Sequence, residues 1–599
     1  MRDRATFAGR RVAQVVIRGT LRRASRTETL HARPTAAYTM TAETNDAARL
    51  DAEALAALER GDIGAAEARF RDAIARYGPR ADRLAMLGQI LLRLARPKEA
   101  ARALTEASAA LPDNAAINAA LGVALVQSGE AAAALGPLEQ AVTLAPSNHD
   151  AWNALGLARA GTGDVDGAGA AFERALAAAP RFTPALVNWC DSLVSAGRLA
   201  EAIELAANAT AKHPDDPDAW FNLGRLQMNE LSLDAARDAF LRVAALQQAN
   251  PSVHVNLGLI EQWAGHLDEA ERQFRRARAL DPGNANARFG LAMTLLKLRR
   301  SDEGWALYAQ GRSGMVESFG RIRARPWDGR RLAEGTLIVC CDHGLGDVLQ
   351  FARFAPLARE RVARVVVYCD GYHATARRLL DSLRGVDAVL GADADAPAVT
   401  ATCAMSELPH LLHLGSDAFR PVEAYLAPPS DAVRRWSARV AGLRGRKVGV
   451  CWGGNPRPDE SDWRRIDLRR SIPAQRLAWL AAVPGISLVS LQKGAASGDK
   501  DAFGAALHDW TDALTDFAET AALIANLDVV ISVDTSVAHC AGAIGAPVFL
   551  LDRFDGDWRW GTDANAPGWY PNLRVFRQPS IGDWRPAFDA LARALAEPV

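Results

Sequence analysis

Between about residue 47 and residue 284 the small and apolar positions recur on a 34-residue register. Gly88, Gly122, Gly156, Gly224 and Gly258 hold one slot, with Cys190 in the place between Gly156 and Gly224. Ala100, Ala134, Ala168, Ala202, Ala236 and Ala270 hold a second. Phe70, Leu104, Leu138, Phe172, Phe240 and Phe274 hold a third, and Pro112, Pro146, Pro180, Pro214 and Pro282 punctuate the ends. The glycine and alanine slots predict two helices of one hairpin in close approach. The Phe/Leu slot predicts the side chain that fills the space between successive hairpins. Proline marks each turn because it cannot continue a helix. Seven full hairpins over 47–284 and a partial eighth to about 318 are expected, forming an α-solenoid.

In a solenoid one register makes one stripe. Asn188, Asn222 and Asn256 share a register on the first helices of consecutive hairpins. Two readings stand: a ladder of amides that holds the backbone of an extended peptide, or amides that satisfy helix ends and neighbouring repeats.

After Leu298 the register fails, and a polar, Gly-rich bridge follows. The pattern then changes to short β-branched runs alternating with helical stretches. "TLIVCC" (336–341), "ARVVVYC" and "VDAVLG" are strands of a first series; "KVGVCW" (447–452), "ISLVSLQ", "LDVVISV" and "PVFLL" are strands of a second. The two series meet near "AYLAPPSD". They predict two facing doubly wound, Rossmann-like domains whose ligands bind at the carboxyl ends of the strands. The expected boundaries are a basic leader over 1–40, the solenoid over 41–318, a linker over 319–335, and α/β domains over 336–440 and 441–599.

Composition narrows the function. Lys+Arg and Asp+Glu are equal at 70 each, so no global field draws the chain to nucleic acid. No apolar run approaches the ~20 residues of a transmembrane segment. The seven cysteines form no CxxC pair and lie in apolar runs, which points to buried thiols in a reducing, cytoplasmic setting. No His/Cys/Asp cluster has metal-ligand spacing, and no metal is expected. The leader is arginine-rich and lacks the apolar core of a secretory signal. It is a transit peptide, a basic arm, or sequence upstream of a true start at Met40.

Two stretches carry candidate chemistry. In "VDTSVAHCAGAIGAPVFLL" (533–551) a strand ends at Asp534, Thr535 and Ser536, and a small-residue helix follows. A helix N-terminus there, with hydroxyls from Thr535 and Ser536 and with His539 in the first turn, suits a phosphate. The competing reading is an ordinary helix cap with a packed histidine. In "CDHGLGDVLQF" (341–351), Gly344 and Gly346 make a tight turn into a helix, and Asp347 stands at its start. Asp347 is either a general base or an acid that complements the helix dipole. A third glycine of the dinucleotide fingerprint would fall on Leu349, so hydride transfer is poorly supported.

The repeats resemble tetratricopeptide repeats. In order, "GLGDVLQFAR", "VGVCWGGNP", "RRSIP", "SLQKG", "FAETAALIANLDVVISVDTSVAHCAGAIGAPV", "DWRW", "WYPNLRVFRQ" and "GDW" resemble bacterial proteins that fuse such repeats to a heptosyltransferase-like (family nine) glycosyltransferase. The architecture is also similar to that of the protein O-GlcNAc transferases, whose catalytic motifs match less well. The resemblance implies a GT-B fold and an inverting, metal-independent transfer without a cofactor, with a nucleotide-sugar as donor substrate. It implies Asp347 as the base. Gly344, Gly346, Asn455, Arg470, Gln492, Lys493, Asp534, Thr535, Ser536 and His539 would hold the donor, Arg470 by neutralising the leaving group and Gln492 and Lys493 near the nucleotide base. Lysine is more usual near Arg470 in that family, and "DESDWRR" (459–465) departs from its loop. The tryptophans at 558, 560, 569 and 584 either stack on a sugar or base or pack the C-terminal helix.

The expected function is therefore glycosyl transfer to a protein presented by the repeats. Two alternatives are a non-catalytic scaffold and a transferase acting on a lipid-linked or polysaccharide glycan.

Overall fold

The computed structural model describes residues 42–310, 324–392, 399–454, 467 and 469–597. The leader and Asn455 lie outside the described residues. The chain divides into two compact units, one ending at Gln248 and the other beginning at Ala249.

Sixteen helices, from α1 (Ala42–Glu59) to α16 (Ser301–Ala309), pair as eight hairpins, six in the first unit and two in the second. Five of their first helices start on side-chain caps that obey the 34-residue period, and Arg80 stands in the same slot of the second hairpin without one. Asn114, Asn148, Asp216, Asn250 and Asn284 each accept from a backbone N–H of the following turn; Phe182 takes that slot in the fifth hairpin without such a bond. The prolines stand just ahead of these caps. The turn inside each hairpin requires a left-handed residue. Gly61, Gly129, Gly163, Gly197 and Gly265 supply it, whereas Ala95, Leu231 and Arg299 adopt φ of 55°, 65° and 59° in the same slot.

The Gly and Phe/Leu slots interlock. A Cβ on Gly156 would lie 2.5 Å from the ring of Phe172, which belongs to the second helix of the same hairpin. Phe274 is gripped from both sides: a Cβ on Gly258 would come within 2.8 Å of it, and one on Gly290, in the next hairpin, within 2.3 Å. Phe274 therefore closes its own hairpin and also the gap to the following one, and a larger residue at Gly258 or Gly290 would collide with it.

The second unit continues with two parallel sheets. The first contains β1 (Arg325–Pro326), β2 (Leu332–Cys340), β3 (Val362–Tyr368), β4 (Ala388–Leu390) and β5 (Ala401–Ala404), in the order β1-β5-β2-β3-β4. The second contains β6 (Arg446–Cys451), β7 (Ile486–Ser490), β8 (Leu507–His508), β9 (Val529–Val533), β10 (Val548–Asp552) and β11 (Leu573–Arg577), in the order β11-β10-β9-β6-β7-β8. The second order is that of the doubly wound dinucleotide fold, 3-2-1-4-5-6. The β2/β5 and β6/β9 borders are switch points, where the chain leaves in opposite directions and opens a crevice.

The sequence pattern missed β5, whose residues "ATCA" carry no branched apolar run. It also missed β1, which falls inside the expected linker. Trp327 holds that edge by donating its N–H to the Thr402 carbonyl at 2.7 Å.

Candidate functional site

Four carboxyl-end segments of the two sheets converge. Cys341–Gly344 follow β2 and lead into α17 (Leu345–Phe351). Trp452–Gly454 follow β6. Asp534 and Thr535 follow β9 and lead into α18 (Ser536–Ala543), and residues 553–561 follow β10.

α17 and α18 meet at Gly346. A Cβ there would stand 3.0 Å from His539 Cδ2 and 3.4 Å from Ser536 Cα, so any larger residue would have to push the two helix starts apart by a few tenths of an ångström. Asp347 is the third residue of α17. Its Oδ2 accepts from the Gly344 N–H at 3.0 Å, and its Oδ1 accepts from Arg559. Asp347 thus caps its helix, as the second reading expects, and it also faces a cation of the opposite sheet. Burial raises the Asp347 carboxyl, but Arg559 and then His343 outweigh it and hold the group below its usual value. It is a carboxylate at neutral pH.

Arg559 was not expected from the sequence. It also pairs with Asp557 at 2.7 Å, donates to Gln350 at 2.7 Å and lies 4.5 Å over the Trp558 ring. Its signal was present in "DWRW", an arginine between two tryptophans directly beyond a parallel strand. Trp560 stacks on His539 at 5.4 Å. Trp558 and Trp569 pack with Trp305 and Phe419, and Trp584 stacks on Phe588 of the C-terminal helix. Packing of the C-terminal helix therefore accounts for Trp584 alone among the four tryptophans.

His539 is buried. Its Nδ1 lies 3.0 Å from the Tyr570 hydroxyl, and its Nε2 lies 3.9 Å from Asp534. Burial and the neighbouring Arg559 pull its pKa down to about 3. His539 is therefore neutral near neutral pH and brings no cation to the turn. Asp534 is pushed up to about 6, first by burial and then by Asp557. Thr535 caps α18 through its backbone, and its hydroxyl turns back to Ser532 Oγ at 3.0 Å. Of the two hydroxyls expected at the turn, Thr535's is thus committed to the strand end. Ser536 opens α18, where N–H groups lack intrahelical partners.

Arg470 lies between the β6 and β9 ends. It donates to the Asp534 carbonyl at 3.2 Å and pairs with Asp467 at 2.5 Å. A Cβ on Gly454 would come 2.5 Å from its Nη2. Gln492 has a different role from the one expected. Its Oε1 accepts from the Trp452 and Gly453 N–H groups at 2.9 and 2.8 Å, and its Nε2 donates to the Gly453 and Lys493 carbonyls. This buried amide is fully committed to joining β6 to β7. Lys493 reaches back to the Leu514 carbonyl.

The asparagine stripe is corrected as well. Asn188 and Asn222 are 3% and 1% exposed. Asn188 donates to Asn153 at 2.9 Å, and Asn222 accepts from Arg225 at 2.7 Å. Asn256 bonds its own helix at Ser252. The first two amides knit the interior of the repeats and present no ladder. Elsewhere in the first unit a groove of about 480 Å³ is lined by Trp189, Arg198, Glu173, Glu201 and Glu204 among others.

Residues 85–149, 120–181, 188–252 and 256–313 match the tetratricopeptide repeat model. These segments are tetratricopeptide repeats. The chain is 26% identical over 342 residues to Protein FlbA of Caulobacter vibrioides, covering 52% of this chain and 55% of that protein. It thus spans about half the length of that curated relative. It is also similar to a tetratricopeptide repeat protein from Parabacteroides merdae (TM-score 0.34, 17% identity, 42% of this chain and 99% of that one). A further likeness is to YrrB, described as a TPR protein with an unusual peptide-binding site (TM-score 0.24, 22% identity, 31% and 96%). No helix among the described residues is long and apolar enough to cross a membrane.

Proposed function

We propose that the α/β part of the second unit is a GT-B glycosyltransferase that moves a sugar from a nucleotide-sugar to a hydroxyl, with a protein delivered by the tetratricopeptide repeats as acceptor. The observation that carries this reading is the meeting of Asp347, Arg559 and the start of α18 at Gly346. A proton acceptor and an anion site are there joined across two sheet switch points. Asp347 Oδ takes the acceptor hydroxyl proton as the oxygen attacks the anomeric carbon. The bond from that carbon to phosphate breaks, and the nucleoside diphosphate leaves with the electron pair. Its charge is met by Arg470, Arg559 and the N–H groups of Ser536 and Val537. A diphosphate carries more charge than one carboxylate and competes with Asp347 for Arg559, which frees the base.

The test is calorimetric titration of the full chain with UDP, GDP, ADP, CDP and dTDP. One nucleotide should bind wild type, and Arg470→Ala and Arg559→Ala should each weaken it by about 100-fold. A folded wild-type chain that binds none of the five leaves the repeats as a protein-binding scaffold and removes the transferase.

A further inference from the structure

We propose that Arg299 and Lys297, contributed by the last tetratricopeptide hairpin, are positioning residues that hold the 553–561 loop so that Arg559 faces Asp347 and α18. This rests on the transferase reading. Lys297 ends α15 (Ala285–Lys297), and its Nζ donates to the carbonyls of Asp555 and Gly556 at 2.6 and 2.9 Å. Arg299 Nη2 donates to the Arg559 carbonyl at 3.1 Å and to the Pro567 carbonyl at 3.0 Å. Two cations of one helix end thus grip the main chain of the loop at three of its residues.

The loop is shaped to receive them. A Cβ on Gly561 would lie 2.9 Å from Arg299 Nη2, so glycine there clears the approach. The Arg299 guanidinium lies 4.0 Å from the Phe419 ring centroid, which fixes its plane. The Asp555 carboxylate is braced by Arg469 at 3.1 Å and Arg553 at 3.0 Å. The loop backbone is therefore clamped on both sides of the arginine that meets the base.

Backbone strain supports the same conclusion. Arg299 occupies the left-handed slot that glycine fills in five of the eight hairpins. An arginine there costs conformational energy that glycine would avoid. Ala95 and Leu231 show that the slot tolerates a side chain, but of the eight slot residues Arg299 alone carries one that grips the 553–561 loop.

The experiment compares wild type, Arg299→Gly, Arg299→Lys and Leu231→Gly as full chains, by melting temperature and by titration with the same five nucleoside diphosphates. Glycine relaxes the turn, so a residue that merely builds the turn predicts an Arg299→Gly chain that melts no lower and binds as wild type does. That result overturns the proposal. The proposal predicts binding weaker by about tenfold or more for Arg299→Gly, with Leu231→Gly unchanged. Arg299→Lys, which keeps a cationic donor, recovers most of the lost affinity under the proposal; a lysine variant as weak as Arg299→Gly overturns it. If Arg299→Gly does not fold, Lys297→Gln is the deciding variant: the same loss supports the clamp, and wild-type affinity overturns it. A wild type silent toward all five overturns the transferase reading and this proposal together. A wild type that binds, with Arg299→Gly its equal, overturns the clamp alone.

Discussion

Arg559, beyond the last residue of β10, forms an ion pair with Asp347, the third residue of α17, across the crevice between the two sheets. The pairing sets the charge state of the candidate base. Removing the cation leaves burial and the weaker influence of His343, so the carboxyl rises. Arg559→Ala should therefore move the acid limb of the pH–rate profile upward by ~1 unit or more. An unmoved limb would show that Arg559 does not govern Asp347.

His539 gives a prediction for acid stability. Its imidazole titrates at about 3 when folded and at about 6.5 when unfolded. Between those values only the unfolded chain binds the proton, so stability is complete above about 6.5 and is lost toward 3, by up to about tenfold in the unfolding equilibrium per pH unit. Asp534, raised to about 6, acts with the opposite sign in the upper part of that window. His539→Gln removes the larger effect. Denaturant midpoints at pH 7 and pH 5 should converge in this variant relative to wild type, and equal separation would contradict the assignment.

In the repeats, Gly156→Ala places a methyl 2.5 Å from a Phe172 ring that is 0% exposed and has no room to withdraw. Overpacking should cost about 1–3 kcal/mol, partly offset by alanine's better helix propensity. A lower urea midpoint checks this, and an unchanged midpoint would show that the ring has room to move.

Leu231→Gly tests the left-handed slot. At φ 65° a leucine is strained where glycine is not. The substitution should stabilise by about 0.5–1 kcal/mol, read as a raised melting temperature; a lowered one would mean that the leucine side chain outweighs the strain.

The repeat pattern was legible because close packing leaves a periodic trace: Gly156 and Phe172 are constrained by one contact, and 34 residues on the same geometry recurs. The caps at Asn114, Asn148 and Asn284 share that period but were overlooked beside the prolines. The parallel strands with branched apolar runs, such as β3 and β9, were legible for the same reason. Tyr570 and Lys297 were not, and for Arg559 "DWRW" marked the residue but not its partner. Their significance depends on partners more than 30 residues away in sequence, as with Lys297 and Gly556, and no local pattern encodes such a meeting. The same limit explains Gln492, which sits at the right strand end but is turned inward by the Trp452 and Gly453 N–H groups.

The most direct measurement is release of free nucleoside diphosphate from a panel of nucleotide-sugars by the full chain, wild type against Asp347→Asn. The asparagine keeps the volume and removes the base. Wild type should release the diphosphate from one donor, and Asp347→Asn should do so about 10²–10⁴-fold more slowly while that nucleotide still binds. Equal release by both proteins, or none from any donor by a wild-type chain that is folded, would contradict it.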